Sequence, residues 1–166
     1  MNGDSVTALR QNHALEYATI SLLIRKLGLN VRLIGRATPT GFYIYGDAPT
    51  EAVQEAAQEG LARLQRGESQ LALSPLCGTN ISVAGIMAGT ACFLALRGKK
   101  QGWRLPLAIL AATWAIIAAQ PIGRIAQKYL TTSADLYGVS IKRITRRGTG
   151  TRILHRIETT REQAME

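Results

Sequence analysis

No aspartate, glutamate, lysine or arginine occurs between Ser69 and Leu96, and a second uncharged run extends from Leu105 to Gly123 after one short basic turn. A chain with two adjacent apolar helices must either bury both in a core or hand them to lipid. The runs Ile81–Leu96 and Leu105–Gly123 are joined by Gly98-Lys-Lys-Gln-Gly102 and flanked by Arg97, Arg104 and Arg124, the pattern of a transmembrane helical hairpin. Sixteen helical residues reach only ~24 Å against a hydrocarbon core of about 30 Å, so the first helix is expected to begin earlier, near Cys77, or to stay shallow. Gly85 and Gly89 form a GxxxG pair, and Ala111, Ala115, Ala118 and Ala119 put small residues on the second helix, so the two backbones are expected to approach closely. Trp103 stands where an interfacial aromatic would. The competing reading is a helical hairpin buried in a soluble core.

Charge is distributed just as unevenly. Residues 1–80 hold seven basic and seven acidic side chains, whereas residues 81–166 hold thirteen and four, so the whole net charge of +9 lies in the second half. Positive charge gathered around apolar segments is what anionic lipid headgroups select, and lipid is favoured here over nucleic acid. Two cysteines, Cys77 and Cys92, cannot staple a scaffold of this size, and nothing demands an oxidising compartment. The first apolar stretch, Ala14 to Leu27, is broken by Glu16, Arg25 and Lys26 and does not read as a secretory signal.

The expected fold class is α+β: a small soluble module, α-β-β-α-β plus a C-terminal β-hairpin, interrupted by the two-helix transmembrane hairpin. Residues 1–76 form its N-terminal part, 77–128 the membrane hairpin with helices at about 81–97 and 104–123, 129–161 the basic β-hairpin, and 162–166 a tail. Apolar spacing predicts a first helix over Val6–Leu27 stopped by Gly28. Val31–Ile34 and Phe42–Tyr45 read as strands around a longer loop, Ala37 to Gly41. Asp47-Ala-Pro-Thr-Glu51 reads as the side-chain-capped start of a helix ending at Gly67, and Leu71–Leu73 as a third strand. Gly138–Thr145 and Thr151–Thr160 supply the last two strands.

The most specific local chemistry is Asn12-His-Ala-Leu-Glu-Tyr-Ala-Thr19, which puts His13, Glu16 and Tyr17 on one helical face. A His and a Glu one turn apart can share a transition metal such as zinc, with Cys77 as a third, soft ligand. The plainer alternative is a His–Glu hydrogen bond that fixes the first helix on the sheet. Thr79 or Asn80 could cap the first apolar helix. His155 and Glu158 repeat the spacing, but on a strand they point to opposite faces.

Three motifs, His13-Ala-Leu-Glu-Tyr17-Ala-Thr19, Gly41-Phe-Tyr-Ile-Tyr-Gly46 and Leu76-Cys-Gly-Thr-Asn80, together resemble an uncharacterised family of small bacterial membrane proteins. That family commonly reads His-Ala-Leu-Glu-His at the first motif. The resemblance covers most of the chain up to the second apolar helix and implies a bacterial inner membrane protein, with no established activity. A second histidine at Tyr17 would complete HxxEH, the inverted zinc-peptidase arrangement, and Tyr17 departs from it.

Lys142, Arg143, Arg146, Arg147, Arg152 and Arg156 form a basic run within short reach of the membrane helices. The run has no accompanying series of stacking aromatics, which disfavours nucleic acid. Two functions are expected from these features. The first is a non-enzymatic, membrane-anchored binding or assembly module that meets anionic lipid, a protein partner or a second copy through the basic hairpin. The second is a metal-dependent hydrolase using His13 and Glu16. Both termini are expected to be cytoplasmic, since the alternative exports an eighty-residue module without a signal.

Overall fold

A computed structural model describes residues 2–28, 30–73, 77–97, 104–148 and 153–161. Two compact units emerge, Met1–Leu73 with Thr132–Glu166, and Ser74–Thr131. The first is α+β. Helix α1 (Asn2–Leu27) is followed by strands β1 (Ile34–Thr38) and β2 (Gly41–Tyr45), helix α2 (Thr50–Gln65) and a 3-10 turn (Ser69–Ala72), and the unit is completed by β3 (Val139–Arg147) and β4 (Leu154–Arg161). The four strands form one antiparallel sheet in the order β1-β2-β4-β3. The C-terminal hairpin thus docks beside β2 and completes a sheet begun more than a hundred residues earlier.

Both helices cover one face of this sheet. Leu15, Ala18, Leu22 and Leu23 of α1 and Val53, Ala56, Ala57 and Leu64 of α2 meet Phe42, Ile44 and Ile157 in a single core. Alternation along β4 is regular: His155, Ile157 and Thr159 are buried, and the residues between them are less so. Gly28 ends α1 at φ 87°, its N–H bonded to Ile24 O at 2.9 Å, as the helix-stop reading requires.

Several expected elements shift. Strand β1 begins at Ile34 and is joined to β2 by Pro39-Thr40, so Val31–Ile34 is not the strand and the loop is short. The inward positions of β1 are Gly35 and Ala37, small because α1 lies close, and a search for β-branched runs passes over them. Residues Leu71–Leu73 form no strand. The chain reverses at Gly67 (φ 88°) and folds back onto α1, so Leu71 and Ala72 reach the core from a 3-10 turn without pairing. The start of α2 is not capped by a side chain: Pro49 holds the N-cap position in extended conformation (φ −60°, ψ 138°).

The second unit is an antiparallel-type pair of contacting helices, α3 (Gly78–Leu96) and α4 (Arg104–Ala126), the latter closing on a π-type turn (Gln127–Thr131). Both are long and apolar enough to cross a membrane, α3 with 19 residues and α4 with its continuation 28. Their apolar side chains are mostly exposed, among them Ile86, Phe93, Ile109, Trp114 and Ile117. The earlier start of α3, with Cys77 at its N-cap, adds the length missing from the charge-free run. It also carries Thr79 and Asn80 inside the helix, where neither caps it. Thr79 donates to Thr131 Oγ1 at 3.3 Å, and Asn80 packs on Gly123.

The expected close approach at Gly85 and Gly89 does not occur between α3 and α4. Both glycines are exposed, and no described atom lies within 4 Å of the position a Cβ would take. The tight crossing is at Gly123 instead, where a Cβ would stand 2.6 Å from Asn80 Oδ1. Trp103, the inter-helix turn at 98–102 and the tail at 162–166 lie outside the described residues.

Candidate functional site

The histidine motif on α1 divides into two environments. The rings of His13 and Tyr17, one turn apart and half-buried, stand 4.8 Å apart between centroids with their planes 40° from parallel. Glu16 is turned inward and is only 4% exposed. Its side chain occupies the space beside Gly35 of β1 where any Cβ would fall, so the glycine creates the room for the buried carboxylate. Cys77, buried, belongs to the other compact unit. Among the described residues no three His, Cys, Asp or Glu side chains are grouped as a metal site would require.

A polar network beside this motif is more extensive than its sequence suggests. Asn12 is fully buried. Its Nδ2 donates to the carbonyls of Thr38 (2.7 Å) and Pro39 (3.1 Å), and its Oδ1 accepts from Thr159 Oγ1 (2.8 Å) and Arg161 Nη2 (3.3 Å). Arg161 also donates to Gln11 Oε1 at 2.9 Å and Ala8 O at 3.0 Å. Arg10 donates to Thr132 O at 3.1 Å and Gln11 to Asp135 O at 2.8 Å. One helix face therefore ties the β1–β2 turn, the end of β4 and the segment entering β3 to a common support. Asn12 was legible as a polar residue within the buried stripe of Ala8, Leu15 and Thr19, a position that demands partners.

His155 is a second residue that spacing alone undervalues. It is fully buried on β4, opposite Ile44 and Arg146, and its Nε2 lies 3.2 Å from Thr50 Oγ1 at the start of α2. Among the described residues its Nδ1 has no hydrogen-bond partner. Burial pushes its pKa below the ordinary imidazole range; the Arg146 charge adds to this, and Glu51 works the other way. Burial thus favours the neutral ring, which lies between the sheet and the start of α2. Glu158 faces away from it, as strand geometry dictates.

The basic residues do not form one patch. A bulge between Ile141 and Arg143 sets the two exposed cations Lys142 and Arg143 against Glu158. Arg147 pairs with Leu154 and Arg156 with Tyr43, on the face opposite α1 and α2. Arg146 pairs with His155 and points to the helical side. Arg156 lies 5.9 Å from the Tyr43 ring centroid and 3.3 Å from Glu158. Arg152 lies outside the described residues.

The comparisons with known proteins agree on the family and assign it no activity. Residues 8–144 match the family model described as domain of unknown function DUF6391. An uncharacterised protein of Picosynechococcus sp. (strain ATCC 27264 / PCC 7002 / PR-6) is 34% identical over 141 residues, which span 77% of this chain and 67% of that protein. No solved structure matches the chain. With most of its length matched by that model and a third of the aligned residues shared with a relative of equally unassigned role, the chain belongs to the uncharacterised family DUF6391.

Proposed function

We propose that this chain is a membrane-anchored, non-enzymatic binding module: α3 and α4 cross the bilayer as a hairpin, and the α+β unit presents its cations to anionic lipid headgroups. The observation that carries the reading is the exposure of the apolar helices. The core helix of a soluble protein hides its large side chains, whereas Ile86, Phe93, Leu107, Ile109 and Trp114 are all more than half exposed. In lipid those side chains are solvated by acyl tails, while the helices satisfy their own backbone groups.

Two further features support the reading. Asn12 and Arg161 are engaged in joining structural elements, and Glu16 is packed under a strand, so the polar residues of α1 act as supports. The cations of β3 and β4 are mostly exposed, and each is worth ~1 kcal/mol near an anionic leaflet. Placement in a bacterial inner membrane with both termini cytoplasmic puts these cations beside that leaflet.

The test is made on the full chain reconstituted into nanodiscs of neutral lipid or of neutral lipid mixed with phosphatidylglycerol. Hydroxyl-radical labelling of β3 and β4 is expected to fall in the anionic discs and to recover in high salt. Labelling indifferent to lipid charge overturns the reading, and protection that requires an added protein fraction replaces lipid by a protein partner.

A further inference from the structure

The sheet face opposite α1 and α2 has an organisation that the run of basic residues does not reveal. Cross-strand pairing aligns Ile34, Tyr45, Leu154 and Arg147 in one row across β1, β2, β4 and β3, and Arg36, Tyr43, Arg156 and Thr145 in the next. Ile34 is 69% exposed and Tyr45 40%. In the following row Arg143 pairs with Glu158, the one acid at these outward positions among the described residues, and Arg156 engages that carboxylate. Four cations, Arg36, Arg143, Arg147 and Arg156, against one carboxylate thus surround two tyrosines and a pair of aliphatic side chains. We propose that this open face, with β1 and β2 contributing as much as the basic hairpin, is the surface that lies on an anionic bilayer.

The composition selects that occupant. A second copy set face to face would bring arginine against arginine, with one acid per face to offset them. A lipid headgroup layer offers phosphates to Arg36, Arg143, Arg147 and Arg156, and an interfacial zone in which a tyrosine places its ring among acyl carbons and its hydroxyl in water. Ile34 and Leu154 flank Tyr45 at the apolar end of the face, where they add hydrophobic area to that contact. The covalent link to the hairpin makes contact with the bilayer intramolecular, so modest contacts suffice to hold the face there. This inference rests on the membrane-anchored reading and adds which side of the sheet makes the contact.

Arg146 and Arg147 supply the discriminating experiment, since they are adjacent, equally charged and on opposite faces. The full chain is placed in nanodiscs of increasing phosphatidylglycerol content, and radical labelling of Tyr43 and Tyr45 is read by mass spectrometry. Protection of both tyrosines is expected to grow with anionic lipid. Arg147→Gln is expected to shift the midpoint about fivefold, the equivalent of ~1 kcal/mol per cation, Arg36→Gln to do the same, and Arg146→Gln to leave it in place. Circular dichroism confirms that each variant is folded. Protection of β3 and β4 with the tyrosines left unprotected, or a midpoint shift from Arg146→Gln equal to that from Arg147→Gln, overturns the inference while leaving lipid binding by the hairpin intact. No lipid dependence at any position overturns the anchored-binding reading and this inference with it. Tyrosine protection by a single-stranded oligonucleotide in neutral discs, with none from anionic lipid, reassigns the face to nucleic acid.

Discussion

Thr159 donates its hydroxyl to Oδ1 of Asn12 at 2.8 Å, joining the last strand to the first helix across 147 positions of sequence. Asn12 has its donor and acceptor atoms both occupied at this point, with four hydrogen bonds to the β1–β2 turn and the end of β4. Replacing it by alanine strands the Thr38 carbonyl and the Thr159 hydroxyl together. The expected loss is about 2–3 kcal/mol, read from chemical unfolding of the full chain in detergent followed by the signal of the sheet. A change within a few tenths of a kcal/mol shows that water replaces the amide.

Gly35 and Glu16 should behave as a coupled pair. Gly35→Ala forces the buried carboxylate out of its place and is expected to destabilise the α+β unit by about 1–3 kcal/mol. Added to Glu16→Ala, which empties that space, the same substitution should be nearly neutral. A double-mutant cycle measures the coupling, and additivity of the two changes removes the contact from the account.

Stability should fall on acidification through His155. The folded-state pKa lies below the unfolded value of about 6.5, so the unfolded chain takes up the proton first. No penalty exists above that value. As pH drops through and below it, stability declines with a slope approaching ~1.4 kcal/mol per pH unit until the folded pKa is reached. His155→Gln, which keeps a polar atom near Thr50, should remove that slope while the half-buried His13 is retained, and an unchanged pH profile assigns the effect elsewhere.

In the helical hairpin the expected sensitivity is at Gly123. Gly123→Ala meets Asn80 and should lower resistance to denaturing detergent by about 1–3 kcal/mol, whereas Gly85→Ala and Gly89→Ala should leave the packing of α3 on α4 unchanged. Titration of the reconstituted chain with sodium dodecyl sulfate separates the three variants, and equal losses would restore the GxxxG pair to the helix interface.

Elemental analysis addresses zinc directly. Detergent-purified wild type and His13→Ala are both expected to carry well under one transition metal per chain. A stoichiometric metal lost in the variant would turn His13 and Glu16 into ligands and favour a hydrolase.

Sequence by itself determined what depends on local period and composition. The two charge-free runs announce two long apolar helices, the three- and four-residue spacing marks α1, Gly28 stops it, and alternating residues with a Gly-containing turn mark the C-terminal hairpin. These signals are local because helix propagation and strand alternation repeat within a few residues. The tertiary structure decided everything that depends on which surface meets which. It put Gly35 under Glu16, although a glycine in a strand reads as a defect, and it made β1 from small residues because α1 presses on them. It gave His155 a neutral, buried place by packing Thr50 on it from a segment a hundred residues away. It decided which of Arg146 and Arg147, set on opposite faces by strand alternation, lies on the helical side, a choice that waits on the bulge at Lys142 and the register with β4. Register and close packing are relations between distant segments, and a one-residue slip exchanges every inward side chain for an outward one.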